Sequence, residues 1–419
     1  MKKILILLFI SFLIIGGSVG IWYYLEPEHK EEEFIPVGIL HSLTGYLAGT
    51  EQNVVDATLL AIEEINEKGG VLGKKLKPLI VDGKSDWQTF AAGAEKLLAE
   101  DKVPVIFGGW ASASRKSIIP VLEKYNGLLF YPTQYEGMEM SPYIIYTGAT
   151  PNQQVIPGVT WSLYNLGKKF FLVGSDYIYP RAIFEIAKKV INSMGGVVVG
   201  EEYIKIGSQQ VGDVVKKIVA AQPEVILNAL VGDVNITFFK ALRAAGVTPE
   251  KIPTMSFNFT EQELQQADIN SMIGDYASFN YFQSLDTQAN REFVKNFQAR
   301  FGKDRITNDY MEAAYFGVHL WVQTLKDTGT TDPDTVKKYI KTQTYDAPEG
   351  VVSIDADNQH TWKIARIGKI QSNGQFYVVW DSVDGIQPVP YLTSYKSEEE
   401  WNNFITSLYK MWGNKWSAE

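Results

Sequence analysis

Short apolar segments alternate with amphipathic helical segments along most of this 419-residue chain, and no other sequence feature restricts its fold as strongly. The pattern predicts strands over residues 35–40, 76–81 and 103–107, and a helix over 50–68 between the first two. A Gly-Gly pair at 69–70 ends that helix. Strand–helix–strand units place parallel strands in one sheet with helices on both faces. The first part of the chain therefore predicts a doubly wound, mostly parallel sheet.

The same alternation restarts after Pro151, with a strand over 170–173 and a helix over 181–194. Two successive units of this kind predict an α/β protein with two lobes. Ligands of open α/β sheets bind beyond the carboxyl ends of the strands, so the loops at those ends are the candidate site segments. These loops are 41–49, 108–115, 132–137, 174–181 and 230–235.

Residues 1–25 carry the clearest signal about location. Lys2 and Lys3 precede an almost entirely apolar run over 4–25, and this charge order predicts that the chain beyond the run lies outside the cytoplasmic membrane. Small residues at 18–20 offer a site for removal of a signal peptide. The length of the run, about 20 residues, also suits an uncleaved membrane anchor. Residues 26–33 form a charged linker on either interpretation.

The composition excludes several classes of function. With 45% hydrophobic and 21% charged residues, the chain is typical of soluble globular proteins. Its net charge of −9, without a dense run of lysine and arginine, predicts no nucleic-acid partner. Because there is no cysteine, disulfides, thiolate metal sites, thiol nucleophiles and a lipid-modified cysteine are all excluded.

Sequence patterns of enzymes and metal sites are weak in this chain. None of the four histidines lies three to five residues from another, which excludes helical metal pairs. The Gly83-Lys84-Ser85 stretch lacks the upstream glycine of a phosphate-binding loop, since that position is Pro78. We therefore expect no enzyme activity, no metal and no cofactor. His41, at the end of the first predicted strand, is either an ordinary loop histidine or a ligand contact.

Several loop sequences resemble those of a known family. The stretches GWASASRK at 109–116, YPTQYEG at 131–137 and GSDYIYP at 174–180 resemble the amide- and urea-binding proteins, which belong with the branched-chain amino-acid binders of ABC importers. The further stretches that match are PNQ at 151–153, GDVN at 232–235, MEAAY at 311–315 and APEG at 347–350. The resemblance extends from about residue 35 to the C-terminal end.

The resemblance implies a two-lobed type I periplasmic-binding-protein fold. Each lobe is a doubly wound, mostly parallel sheet, and three crossover segments join lobes that close over the ligand. The first lobe is expected to combine residues 34–149 with 280–345, and the second to combine 150–279 with 346–395. Residues 396–419 are expected to form a C-terminal helical tail.

Carried onto matching positions, the resemblance also predicts a ligand-binding set. Its members are Trp110, Ser112, Tyr131, Thr133, Tyr177, Tyr179 and Asp233. The hydroxyl groups of Ser112 and Thr133 can each donate or accept a hydrogen bond, and the Asp233 carboxylate can accept two from an amino edge. Aromatic rings in the set can cover a planar ligand and exclude water.

Four of these residues have a purely structural explanation as well. Ser112 and Asp233 both precede helical stretches, so each is a candidate helix cap. Tyr131 suits the core of a strand, and Tyr179 suits the wall of a lobe. From the residues alone, both explanations stay open.

The function implied by the resemblance is capture of urea outside the membrane, followed by delivery to the permease of an ABC transporter. Short aliphatic amides such as acetamide or formamide are the alternative, bound by a transport protein or a sensor. Thr133 keeps this alternative open. Urea binders more often carry valine at that position, and threonine resembles the amide-sensing branch. The implied partners are a small neutral ligand and permease subunits, with the membrane reached only through the N-terminal segment.

Overall fold

The computed structural model describes residues 33–418. The predicted signal peptide or anchor, and most of the charged linker, lie outside these described residues. Within residues 33–418, no helix combines the length and the apolar composition that a membrane crossing requires.

The first lobe is built on a five-stranded sheet. Its strands are β1 (Phe34–His41), β2 (Lys75–Asp82), β3 (Ile106–Gly108), β4 (Leu129–Tyr131) and β5 (Ile144–Tyr146), in the order β2-β1-β3-β4-β5. β1 pairs with β3, β3 with β4 and β4 with β5, all in parallel. The helices between these strands are α1 (Ala48–Glu67), α2 (Trp87–Glu95) and α3 (Ser112–Tyr125), with a π-helical turn over Lys96–Glu100. Parallel pairing requires such crossovers, so the carboxyl ends of the strands meet at one edge.

The second lobe repeats this architecture. Its first strands are β6 (Lys169–Ser175), β7 (Val197–Ile204), β8 (Val225–Ala229), β9 (Thr254–Ser256) and β10 (Tyr276–Phe279). Its helices are α4 (Val155–Asn165), α5 (Ile178–Ser193), α6 (Gly212–Ala221), α7 (Val234–Ala244), α8 (Glu261–Gln266) and α9 (Ile269–Met272), after a 3-10 turn over Pro151–Gln153. β6 pairs in parallel with β7 and β8, and the parallel run continues through β9 to β10.

The chain then returns to the first lobe. The returning elements are α10 (Gln288–Phe301), α11 (Asp309–Thr328), α12 (Pro333–Tyr339) and a 3-10 turn over Ile340–Thr342. Both α10 and α11 pack against α1. α11 begins where the Asn308 side chain accepts a hydrogen bond from the backbone N–H of Met311 at 3.1 Å, which caps the helix.

The remaining strands divide between two sheets. A small antiparallel sheet is formed by β11 (Thr344–Ala347), β12 (Gly350–Ile354) and β13 (Thr361–Trp362), and β11 packs on α11. β14 (Arg366–Ile370) and β15 (Phe376–Asp381) join the second sheet, whose order is β15-β14-β10-β9-β8-β6-β7. β14 runs antiparallel to β10. Of the segment 346–395, expected in the second lobe, only this later part pairs with the second sheet.

The chain passes between the two lobes three times, after β5, after β10 and between β13 of the small sheet and β14. This arrangement confirms the predicted two-lobed α/β fold with mostly parallel sheets. Helix α13 (Glu398–Met411) follows and contacts α5 of the second lobe. A capping box starts it, with Ser397 Oγ donating to the Glu400 carboxylate at 2.8 Å.

Candidate ligand-binding site

A sharp turn after β3 positions Trp110 and Ser112. A Cβ atom on Gly108 would lie 2.2 Å from the Leu40 carbonyl oxygen, so this position has room only for glycine. Gly109 follows with a φ of +72°, in the left-handed region that glycine adopts without strain. The chain can therefore turn directly from the strand into α3, which begins at Ser112. Both predicted residues lie at the carboxyl end of β3 and are buried.

Ser112 lies in a buried network of charged side chains. Its hydroxyl donates to Glu136 Oε2 at 2.5 Å and accepts from Arg115 Nη1 at 3.2 Å. Arg115 also donates to Glu136 Oε1 at 2.7 Å and to Glu139 Oε1 at 2.8 Å. Lys116 forms an ion pair with the other oxygen of Glu139 at 2.5 Å. We call these four charged residues, Arg115, Lys116, Glu136 and Glu139, the Ser112 network.

The Ser112 network corrects one expectation and adds residues that the sequence did not suggest. Arginine and lysine at the start of a helix are ordinarily expected in solvent or between the lobes, but the Arg115 side chain is completely buried. Burial opposes ionisation of Glu139, yet Arg115 and Lys116 outweigh it and hold the pKa of that carboxyl at about 2. Glu136 and Glu139 lie in or just beyond the stretch that carries the resemblance, but nothing in their spacing points to Ser112.

Two of the predicted residues bring unpaired polar atoms to the same strand ends. Trp110 Nε1 and Thr133 Oγ1 are buried, and neither has a hydrogen-bond partner among the described residues. Buried polar groups are usually paired, so two such atoms at the predicted site point to a ligand. Tyr131 is different, because its hydroxyl donates to the Trp110 carbonyl at 2.6 Å and is already engaged inside the first lobe.

Aromatic residues of both lobes surround these atoms. Trp110 packs edge-on against Tyr310, with 5.4 Å between ring centroids. From the second lobe, the Tyr177 and Tyr179 rings lie 6.3 Å apart, and the Tyr179 hydroxyl donates to Gln154 at 3.1 Å. Burial raises the pKa of Tyr177 well above its usual range, and Tyr179, Tyr131 and Glu136 add to the rise. The Tyr177 hydroxyl therefore stays protonated and lies within electrostatic range of the first-lobe site.

Direct hydrogen bonds also join the two lobes at this edge. The side-chain amide of Gln134, one residue after Thr133, donates to the Phe257 carbonyl at 3.0 Å and to Asn258 Oδ1 at 2.5 Å. Both acceptors follow β9 of the second lobe. Gln134 was not in the predicted set. These bonds connect the loop after β4 to the loop after β9.

A segment near the C-terminal end contacts both lobes beside Tyr177. We call residues 416–418 the strap. Its backbone pairs with that of Asp176 and Ile178, through Ile178 N–H to Trp416 O at 3.2 Å and Ala418 N–H to Asp176 O at 3.0 Å. Ser417 Oγ accepts from Trp87 Nε1 of the first lobe at 3.0 Å. The strap thus links the backbone on both sides of Tyr177 to the first lobe.

Asp233 and His41 are not part of this cluster. Asp233 is exposed immediately before α7, and its side chain does not cap the helix. His41 is fully buried at the end of β1, where Nδ1 lies 2.9 Å from Glu51 Oε2. Hydrogen bonds, ring contacts and electrostatic interactions join Trp110, Ser112, Tyr131, Tyr177 and Tyr179, and Thr133 lies two residues after Tyr131 at the same strand end. Across residues 33–418, no group of three or more histidine, aspartate or glutamate side chains is arranged to hold a metal ion.

Comparison with known proteins gives consistent results for the fold. A family model described as the periplasmic binding protein domain matches residues 35–397. Leu/Ile/Val-binding protein homolog 6 of Brucella suis is 23% identical over 273 residues, which cover 64% of this chain and 70% of that protein. A solute-binding protein of an ABC transporter from Rhodopseudomonas palustris, in complex with 3,4-dihydroxybenzoic acid, aligns with a TM-score of 0.78. That alignment has 22% identity and covers 84% of this chain and 98% of that structure.

A second relative matches this chain over a shorter stretch of sequence. Over 140 residues the chain is 31% identical to limonene hydroxylase of Geobacillus stearothermophilus. The match covers 32% of this chain and 26% of that protein. The chain thus spans about a quarter of the length of that relative.

Proposed function

Because the chain belongs to the periplasmic binding protein family, we propose that it is the substrate-binding component of an ABC transporter and that its ligand is urea. In this proposal the protein acts outside the cytoplasmic membrane, captures urea by closing its lobes and passes it to the permease. It binds without catalysis. The Leu/Ile/Val-binding relatives support the transporter assignment, and the chemistry of the site supports a neutral ligand.

The charge balance of the Ser112 network carries the argument for a neutral ligand. Arg115 and Lys116 are two cations, and Glu136 and Glu139 pair with them as two anions. A carboxylate ligand buried beside this network would need a further cation, since an unpaired buried charge is strongly unfavourable. Urea and simple amides bring no charge and avoid that cost.

The arrangement of donors and acceptors fits a planar amide group. Trp110 Nε1 can only donate and the Thr133 hydroxyl is able to donate, so both suit the carbonyl oxygen of a ligand. The Ser112 oxygen, whose own proton is donated to Glu136, offers an acceptor for an amino group. The rings of Trp110, Tyr177 and Tyr179 can enclose a small flat molecule. At a ceiling of about −1.5 kcal/mol per heavy atom, urea reaches about −6 kcal/mol, a Kd of roughly tens of micromolar.

Isothermal titration calorimetry tests the proposal directly. We expect the purified protein to bind urea, with weaker binding of acetamide and formamide, and to bind neither leucine nor 3,4-dihydroxybenzoate. Binding of leucine or of the aromatic acid without urea would overturn the proposed ligand. Release of ammonia from urea by the purified protein would overturn binding without catalysis. Because Asp233 is exposed, Asp233→Asn serves as a control and should leave the urea Kd within about twofold.

Short aliphatic amides are the second candidate ligands, and the unpaired hydroxyl of Thr133 is the observation that favours them. Thr133→Val keeps the shape of the side chain and removes this hydroxyl. We expect the native ligand to lose about tenfold in affinity, which corresponds to about one hydrogen bond. A larger loss for acetamide than for urea would identify the amide as the native ligand, and the reverse ranking would favour urea. The matched control is Thr254→Val on β9, because Thr254 is also a buried threonine; it should leave both affinities within about twofold.

A further inference from the structure

The Ser112 hydroxyl has only one proton, and its neighbours determine where that proton points. Glu136 Oε2, at 2.5 Å, is a carboxylate oxygen that accepts hydrogen bonds. Arg115 Nη1, at 3.2 Å, is a guanidinium nitrogen that can only donate. The proton of Ser112 therefore points to Glu136, and one oxygen lone pair receives the Arg115 N–H. What Ser112 can still offer a ligand is its second lone pair.

We propose that Glu136 is a specificity-determining residue, because it holds Ser112 as a hydrogen-bond acceptor and so selects an amide N–H over a carboxylate oxygen. The inference rests on the proposed function, and it assigns to Glu136 a role through Ser112. A ligand amino group can donate to the free lone pair of Ser112. A ligand oxygen at the same place meets a lone pair, with the Glu136 carboxylate directly behind it.

Acetamide and acetate form a suitable pair of probes, since they have the same number of heavy atoms and nearly the same shape. They differ in the group that would face Ser112, an amino group in one and an oxygen in the other. The ratio of their affinities therefore measures whether the site offers the ligand a hydrogen-bond acceptor or a hydrogen-bond donor. Affinity for acetamide alone would also report general damage to the cleft.

Glu136→Gln changes Ser112 from a hydrogen-bond acceptor into a hydrogen-bond donor toward the ligand, with little change in side-chain shape. The new side-chain carbonyl can still accept from Arg115 Nη2, which donates to Glu136 Oε1 at 2.7 Å in the native protein. The amide N–H of the glutamine then faces Ser112 and donates to it. With both neighbours donating, the hydroxyl proton is released toward the ligand. We expect the acetamide-to-acetate affinity ratio to fall at least about tenfold, with measurable acetate binding.

Glu139→Gln is the matched control. Glu139 lies three residues further along the chain and binds the same guanidinium through Arg115 Nε, at 2.8 Å. Its oxygens contact Arg115, Lys116 and Tyr146, and none of these bonds involves Ser112. The substitution removes the same charge from the same network, so its effect measures what charge balance alone contributes to the affinity ratio. We expect the ratio to fall at least about threefold less than in Glu136→Gln. A shift as large as that of Glu136→Gln would assign the selectivity to net charge and overturn the role of Ser112.

Ser112→Ala provides a readout that does not depend on how well Glu136→Gln folds. Without the acceptor, we expect the preference for acetamide over acetate to shrink even though Glu136 is still present. An unchanged ratio in Ser112→Ala contradicts the proposal, as does an unchanged ratio in a folded Glu136→Gln variant. If the native protein binds neither urea nor acetamide, the proposed function itself fails. If the native protein binds amides and both variants keep its selectivity, only the role of Glu136 fails.

Discussion

Replacing Lys363 by methionine is expected to lower the free energy of unfolding by about 3–5 kcal/mol, because it leaves buried carboxyl groups without their cation. The Lys363 ammonium group is completely buried and lies 2.8 Å from Glu349 Oε2. It also donates to the Thr147 carbonyl at 3.2 Å. Burial disfavours its charge, but Glu349, Glu312 and Asp309 outweigh that effect and raise the pKa of Lys363. The lysine is therefore charged inside the protein, and its partners depend on it.

The neighbours of Lys363 belong to all three connections between the lobes. Thr147 follows β5, and Arg366, at the start of β14, donates to the Glu349 carbonyl at 2.8 Å. Asn280, just after β10, donates its backbone N–H to Asp309 at 2.9 Å. We call these three connections the hinge. Loss of Lys363 should therefore loosen the hinge as well as destabilise the fold. We expect a weaker ligand affinity in addition to the lower stability.

Denaturation with guanidinium chloride measures this effect, and urea is avoided as a denaturant because it is the proposed ligand. Lys240→Met is the control, since Lys240 is exposed on α7, and it should change stability by no more than about 0.5 kcal/mol. The double variant Lys363→Met with Glu349→Gln removes both members of the pair and should recover part of the loss. A single variant as stable as the native protein would show that the pair contributes little at the hinge.

Local sequence patterns predicted the longer elements well and the short ones poorly. The predicted strand over 35–40 and helix over 50–68 correspond to β1 (Phe34–His41) and α1 (Ala48–Glu67). Among the three-residue strands, β3 (Ile106–Gly108) only overlaps the end of the strand predicted over 103–107, and β5 (Ile144–Tyr146) and β9 (Thr254–Ser256) were not predicted. Three residues are too few to establish a period, and such strands exist because neighbouring strands in the sheet pair with them.

In the candidate site, too, local sequence identified some residues, whereas their partners depend on contacts between distant parts of the chain. The resemblance led to Ser112 and Thr133, because each lies in a distinctive loop stretch. The partners of Ser112 could not be found in this way. Parallel pairing of β3 with β4 brings the loop that holds Glu136 next to the start of α3, across 24 residues of sequence. A buried arginine such as Arg115 also looks like a surface residue until its carboxylate partners are known.

The contribution of Glu261 to stability is expected to fall as the pH rises from about 4.5 to about 8. Burial raises the pKa of this carboxyl from 4.5 to about 8, while the Gln283 N–H lowers it and Asp309 and Glu263 raise it further. Over that range the folded protein holds a proton that the unfolded chain has released, so each rise in pH favours unfolding. The full contribution of Glu261 is present below pH 4.5 and is lost once the pH passes about 8.

Glu261→Gln should remove most of this dependence. The glutamine carbonyl can still accept the Gln283 N–H bond, which measures 2.9 Å in the native protein. At about 1.4 kcal/mol per pH unit of pKa difference, the variant should match the native protein near pH 4.5 and exceed its stability by roughly 4 kcal/mol at pH 8. Guanidinium chloride titrations at pH 4.5, 6 and 8 measure the difference in the free energy of unfolding. Glu67→Gln is the control, because Glu67 is exposed on α1. Its stability should change with pH in parallel with that of the native protein. Parallel profiles for Glu261→Gln and the native protein would mean that this carboxyl loses its proton without cost, and hence that water reaches it in the folded state.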